Sequence, residues 1–298
     1  MDALSRLLDG AVDLHVHSGP SLFPRRIDHV EAARLADSFR MRAIVVKSHH
    51  HTTAPEVAVL RKHLLRNLGV QVFGGVALNG CTGGLNPHVV DMTIRLGGRV
   101  VWFPTVSAEQ HIRYQRSHNH SRFPTQAGRP LLEVPVPVVD ERGQLLPQAR
   151  QILGLVAEAD VLMSPGHASP AEILALLNGA REAGVRKMIV NHPEFVVGAS
   201  EAQVREFARL GAFIEHSICM YRPESTFYEW PMERLVQWIE VVGPEKTVLA
   251  SDLGQRDNPF PTEALRRTIA QLLDLGVPDT AVTLMVKRNP AWLLGLED

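Results

Sequence analysis

A chain of 298 residues with 45% hydrophobic content can bury a large core, and barrels of eight βα units run near 250 residues as one domain, so length alone demands no second domain. A formal net charge of −1, from 31 basic and 32 acidic residues, sets aside nucleic acid and an anionic membrane surface as main partners. No apolar run approaches the roughly 20 residues of a spanning helix.

The opening Met1-Asp2-Ala3-Leu4-Ser5-Arg6 has no basic segment leading into an apolar one, and the expectation is a cytoplasmic protein. Cys81 and Cys219 are far apart and outside any CxxC spacing, so both read as reduced, with no thiolate metal site.

In chain order, strand-like runs fall at 11–16, 42–47, 70–77, 99–104, 161–164, 187–191, 212–216 and 247–251, with helical patterns between them. The first closes as His15-Val16-His17, and alternate residues on a strand share a face, so both imidazoles can grip one metal ion. Arg25 and Arg26 follow, read as a surface pair, with neutralisation of an acidic substrate as the other reading. Asp28-x-x-Glu31, Ser169-Pro170-x-Glu172 and Ser200-x-x-Gln203 match capping boxes, and Pro231 suits a first helical turn. Gly69, Gly184 and Gly211 stand where helices should stop.

The second run ends at Lys47, whose strand parity extends to His49 and turns it toward the same mouth, leaving His50 and His51 to a loop. The third leads to Asn79 and a Gly-rich stretch, 81–86. The fourth is followed by about twice the usual spacing. This insertion, 105–147, holds His111, Arg113, Tyr114, Arg116, His118, His120 and Arg122, a Pro-rich run from Pro130 to Pro137, and the turn Asp140-Glu141-Arg142-Gly143. Its length after a barrel strand suits a lid or a substrate wall, and a solvated or subunit-contacting loop is the other reading. Its histidines are not expected to bind metal.

The last four runs end in His167, His192, the adjacent pair Glu215 and His216, and Asp252. Eight βα units imply an α/β fold of the (β/α)8 TIM-barrel type with a long insertion after strand four, as a single domain over 1–298. Strand ends in such a barrel share one mouth, which gathers His15, His17, His167, His192 and Asp252 as metal ligands. Four imidazoles and a carboxylate suit zinc, as one or two ions, with manganese or iron as alternatives. Asp252 and His192 are the expected catalytic pair, Asp252 taking a proton from metal-activated water. His49, Asn79 and Glu215 are the expected substrate contacts.

With these motifs in place, the chain resembles the amidohydrolase superfamily. The residues that carry the likeness are Asp13-Leu14-His15-Val16-His17, His167, His192, Ser251-Asp252 and the ending Asn289-Pro290-Ala291-Trp292-Leu293-Leu294-Gly295-Leu296. More narrowly, Val46-Lys47-Ser48-His49, Leu78-Asn79 with Gly83-Gly84-Leu85-Asn86-Pro87, and Trp102-Phe103-Pro104-Thr105 resemble an uncharacterised amidohydrolase-like family of bacteria and archaea. The resemblance implies that His15, His17 and Asp252 hold the more buried metal position, and that His167 and His192 serve a second one or the substrate. It also implies a bridging carbamylated lysine or glutamate on strand four, yet that strand ends Val100-Val101-Trp102-Phe103-Pro104-Thr105 with neither. Lys47 is then a relocated carbamate ligand, a cation for a substrate carboxylate or phosphate, or half of a structural salt bridge, with the substrate cation favoured.

Three functional readings remain. The first is a metal-dependent hydrolase of an amide, lactone or other C–N or C–O bond in a small molecule, with decarboxylation as a variant. The second is a phosphoesterase of the polymerase-and-histidinol-phosphatase type, which the opening Asp13 to Ser18 resembles, although the run at Val46 to His49 lacks that family's aspartate. The third is a barrel that binds metal or ligand without turnover. The partner is a small molecule in each case, with a homo-oligomer left open.

Overall fold

The computed structural model describes residues 3–118 and 134–296. His120, Arg122, Pro130 and the rest of 119–133 in the predicted insertion lie outside the described residues. The fold is α/β, and the strand pairs of its first two sheets are all parallel. The strands are β1 (Val12–Val16), β2 (Ala43–Val46), β3 (Gln71–Phe73), β4 (Gly75–Ala77), β5 (Val100–Trp102), β6 (Leu162–Ser164), β7 (Ile189–Asn191), β8 (Phe213–Ser217) and β9 (Thr247–Ala250).

The chain divides into two compact units. Unit one comprises 1–47, 56–73 and 215–298, and unit two comprises 48–55 and 74–214.

In unit one, β1, β2 and β3 form a sheet in that order, paired Val12 to Ala43 and Ala43 to Gln71. The β1–β2 register shifts between Asp13 and Val16, an irregularity of the kind that re-aims side chains at functional sites. The segment after β9 lies along β1, where Val16 and Leu253 form a parallel bridge. Every residue of β1 and β2 is buried, as expected of parallel strands covered by helices. The C-terminal motif has a structural use here: Asn289 donates its amide to the Pro244 and Thr247 carbonyls at 2.8 and 2.7 Å, tying the last helix to the start of β9.

In unit two, β4, β5 and β6 pair in order, Gly75 to Val100 and Val100 to Leu162. Met163 continues the parallel pairing to Met188, and the Phe213 N–H donates to the Met188 carbonyl. Trp102, Phe103 and Phe207 are fully buried in this core.

All three predicted capping boxes are present at Asp28, Ser169 and Ser200. Gly184 and Gly211 follow the helices Pro170–Glu182 and Glu201–Arg209 with φ of 86° and 105°, a left-handed turn that glycine makes without a Cβ clash.

Four local expectations need correction. The run 70–77 is two strands, because Thr53 packs on Gly74 and bonds Gly75 in both directions, so a Cβ on Gly74 would lie 2.6 Å from Thr53 Oγ1. Gly69 ends no helix, since Ala54–His63 stops earlier and the Gly69 N–H is held by Asp37 Oδ1 at 2.7 Å. Pro231 is extended, with ψ at 162°, and the helix starts at Met232. Finally, β2 stops at Val46, so strand parity does not reach His49, which shares a loop with His50 and His51.

Candidate metal centre

The end of β1 is stitched to the segment after β9. Asp13 Oδ1 accepts from the His15 and Ser251 N–H groups, both at 3.0 Å, and Ser251 Oγ donates to the His15 carbonyl at 3.0 Å. The Asp252 N–H reaches the same carbonyl at 2.8 Å, and the His17 N–H donates to Leu253 at 2.8 Å. Asp252 itself sits at φ 53°, a left-handed conformation that costs a non-glycine residue about 1–3 kcal/mol and that clusters at functional sites. The Asp13 carboxyl is pushed up to about 7, first by burial.

This clamp brings His15 Nε2 and His17 Nε2 to 3.2 and 3.0 Å from Asp252 Oδ1. Ligand atoms of the three residues lie within 4.8 Å of one another, a group able to hold one metal ion. Behind it, Glu215 Oε1 lies 2.7 Å from His15 Nδ1 and also accepts from Ser217 Oγ at 3.0 Å. A carboxylate at Nδ1 holds that proton and leaves the Nε2 lone pair facing the group, the tautomer a metal ligand needs. Glu215, expected at the substrate, therefore sits behind a ligand as its positioning partner.

Lys47 Nζ approaches His15 Nε2 at 3.0 Å. Burial lowers its ammonium to about 8, against the pull of Asp252 and Glu215. His17 is held well below the usual imidazole range, first by burial and then by the positive charge of Arg25, so it is neutral and ready to ligate. Arg25 Nη2 lies 3.4 Å from His17 Nδ1, and burial lowers that guanidinium to about 10. The surface-pair reading thus fails for Arg25. Arg26 fits it better, stacked 4.3 Å from Phe260 and donating to the Asn258 carbonyl at 2.9 Å.

Unit two collects a second group of histidines. His192 follows β7 at φ 32°, and its ring lies 4.9 Å from that of His167. His167 Nδ1 meets His111 Nδ1 at 2.8 Å, and His111 Nε2 meets the Gln115 amide at 2.8 Å. His111 rides on the helix Glu109–Ser117 of the predicted insertion, and Gln110 ties that helix to the Val196 and Val197 carbonyls. His49 Nδ1 meets Thr105 Oγ1 at 2.8 Å. Asn79 uses its amide nitrogen on the His49 carbonyl and Thr105 Oγ1, and its oxygen on the Thr105 and Ser107 N–H groups. That spends Asn79 on shaping the loops, where a substrate contact was expected.

Sequence reasoning missed three participants. Asp13 had a signal, since it shares strand parity with His15 and His17. Glu215 as the partner of His15 had none at a separation of 200 residues, and His111 was set aside because it ends no strand.

Residues 10–215 match the model of the Family of unknown function (DUF6282). No curated protein matches the sequence. Among solved structures, an amidohydrolase from Pseudomonas aeruginosa shares the fold with a TM-score of 0.63 at 11% identity, over 98% of each chain. The probable dipeptidase PvdM from the same organism has a TM-score of 0.63 at 12% identity, over 98% of this chain and 96% of its own. A probable 2-pyrone-4,6-dicarboxylic acid hydrolase from Acinetobacter baumannii, with citric acid bound, has a TM-score of 0.60 at 13% identity, over 96% of this chain and 99% of its own.

Proposed function

This chain belongs to the DUF6282 family and has the fold of the amidohydrolase superfamily, and we propose that it is a metal-dependent hydrolase of an amide, lactone or other C–N or C–O bond in a small molecule. The observation that carries the reading is the meeting of His15 Nε2, His17 Nε2 and Asp252 Oδ1, with Glu215 setting the His15 tautomer. Two imidazoles and a carboxylate suit a first-row divalent ion, zinc first, with manganese or iron as alternatives and one or two ions per chain. When bound, such an ion supplies Lewis-acid polarisation of a carbonyl and draws the pKa of water down to about 7.

The remaining work falls to the chain itself. His15 and His17 would hold the ion, and Glu215, at 2.7 Å from His15 Nδ1, keeps the His15 Nε2 lone pair free for it. The Asp252 side chain is 18% exposed, so it can both meet the two imidazoles and accept a proton from the attacking water, passing it to the leaving group. His192, held in a left-handed conformation at its strand end, is the second proton-transfer group in the proposal, and His167 a further ligand or substrate contact. The proposal includes closure of the strands into a (β/α)8 barrel, in keeping with the parallel pairing and the fold of the neighbours. It also places the protein in the cytoplasm, in keeping with two free cysteines.

Elemental analysis of protein purified without chelators, followed by assays on lactone, amide and phosphomonoester panels, tests the reading. Bound metal and turnover of a lactone or amide are expected, with Asp252→Asn folding normally while losing at least about 10²-fold in kcat. Turnover of phosphomonoesters alone would transfer the protein to the phosphoesterase reading. Metal without turnover on any panel would make it a binding protein.

A further inference from the structure

In unit one Arg222 is buried and Arg25 half-buried with its Nε shielded from solvent, and their surroundings differ. Arg222 is 6% exposed and commits its charge to Glu224 Oε1, at 2.9 and 3.2 Å. Among the described residues Arg25 has no carboxylate within ion-pair reach, and its buried Nε meets no acceptor. Its Nη2 only grazes His17 Nδ1 at 3.4 Å, the outer limit of a hydrogen bond.

The backbone around Arg25 is fixed. Arg25 bridges Gln255 in antiparallel fashion, the Arg26 N–H donates to the Gly254 carbonyl at 2.8 Å, and Gly19 and Ile27 close the loop at 2.9 Å. A guanidinium on such a ribbon is pre-placed and half-buried, with its Nε already shielded from solvent. Asp252 acts on this charge only from beyond ion-pair distance, and the shielded Nε N–H has no acceptor, so the site calls for an anion. The local charges agree. Around His15 and His17 the cations Arg25 and Lys47 face the anions Asp252 and Glu215, and a divalent ion tips that balance positive.

We propose that Arg25 anchors an oxyanion substituent of the substrate, a carboxylate or a phosphate, on the same small molecule that is cleaved at the His15, His17 and Asp252 group. The planar fork of a guanidinium takes two oxygens of either group side by side. The hydrolase reading supplies the identity of the site, and Arg25 supplies the charge of its ligand.

Calorimetric titration of the full-length, zinc-loaded protein with succinate, inorganic phosphate and neutral succinamide tests the assignment. The wild type should bind succinate or phosphate at least about tenfold tighter than succinamide, as expected for a charge-assisted pair, and the tighter anion names the substituent. Arg25→Met should abolish that preference while zinc stoichiometry is unchanged, and Arg26→Met should keep it. Should Arg25→Met not fold, Arg25→Gln takes its place. A wild type without anion preference, or an Arg25 variant that keeps it, would overturn the proposal. Anion binding that depends on Arg25, with no hydrolysis on any panel, would uphold it and sink the hydrolase reading. Hydrolysis of uncharged amides or lactones, indifferent to Arg25, would do the reverse.

Discussion

Gly254 offers a way to break the metal centre without touching a ligand. It sits at φ 128°, and a Cβ there would lie 2.0 Å from the His17 carbonyl oxygen and 2.6 Å from its carbon. Ordinary contact begins near 3.4 Å, so Gly254→Ala must push the end of β1 and the segment after β9 apart by more than 1 Å. Zinc ligands sit roughly 2.0–2.1 Å from the ion with a tolerance of about 0.2 Å, several times smaller than that shift. The left-handed backbone adds roughly 1–3 kcal/mol of strain to the folded state. Zinc affinity, measured by competition with a chromophoric chelator, should fall by more than about 100-fold, beyond what the loss of one outer-shell partner costs. Gly276→Ala is the control. Gly276 has φ 85° with nothing within 4 Å of its Cβ position, so alanine there should lower Tm through strain alone and leave zinc affinity intact. If Gly254→Ala binds zinc as the wild type does, the clamp between β1 and the Asp252 segment is not what positions His17, and the reasoning fails.

Two further outcomes follow from the same geometry. Glu215→Gln keeps the shape behind His15 and removes the negative charge at Nδ1, and should cost about 10- to 100-fold in zinc affinity with the fold intact by circular dichroism; unchanged affinity would reduce Glu215 to a packing residue. Lys47 sets a pH dependence: below about 8 its ammonium donates to the His15 Nε2 lone pair that a metal requires, and above it the amine is neutral. With His17 already neutral, apparent zinc affinity should rise about tenfold per unit up to pH 8 and then flatten, and Lys47→Met should lose that slope. A slope that survives in Lys47→Met would remove Lys47 from the centre.

The features legible in the sequence are those set by rules a few residues long. A capping box closes over three residues, so Asp28, Ser169 and Ser200 declare their helices locally. Period-two alternation puts His15 and His17 on one face wherever β1 packs, and a helix that turns left-handed at its end asks for a glycine at 184 or 211 in any fold. These choices depend on backbone sterics and hydrogen bonds between near neighbours, which the rest of the chain leaves alone.

Which strand ends share a centre is a different question. That Glu215 stands behind His15, that Thr53 cuts the run 70–77 at Gly74, and that His111 reaches His167 from a helix depend on contacts spanning 200, 22 and 56 residues. The half-burial of Arg25 is of the same kind, since a two-arginine loop reads as surface until the segment after β9 pairs with it. Composition and spacing carry no record of such neighbours. The sequence by itself determined the helix caps, the shared face of His15 and His17 and the residue types that can hold a metal; the tertiary structure decided where the run 70–77 breaks, which carboxylate orients His15, how far Arg25 leaves solvent and which histidines meet, because each depends on neighbours far away in the chain.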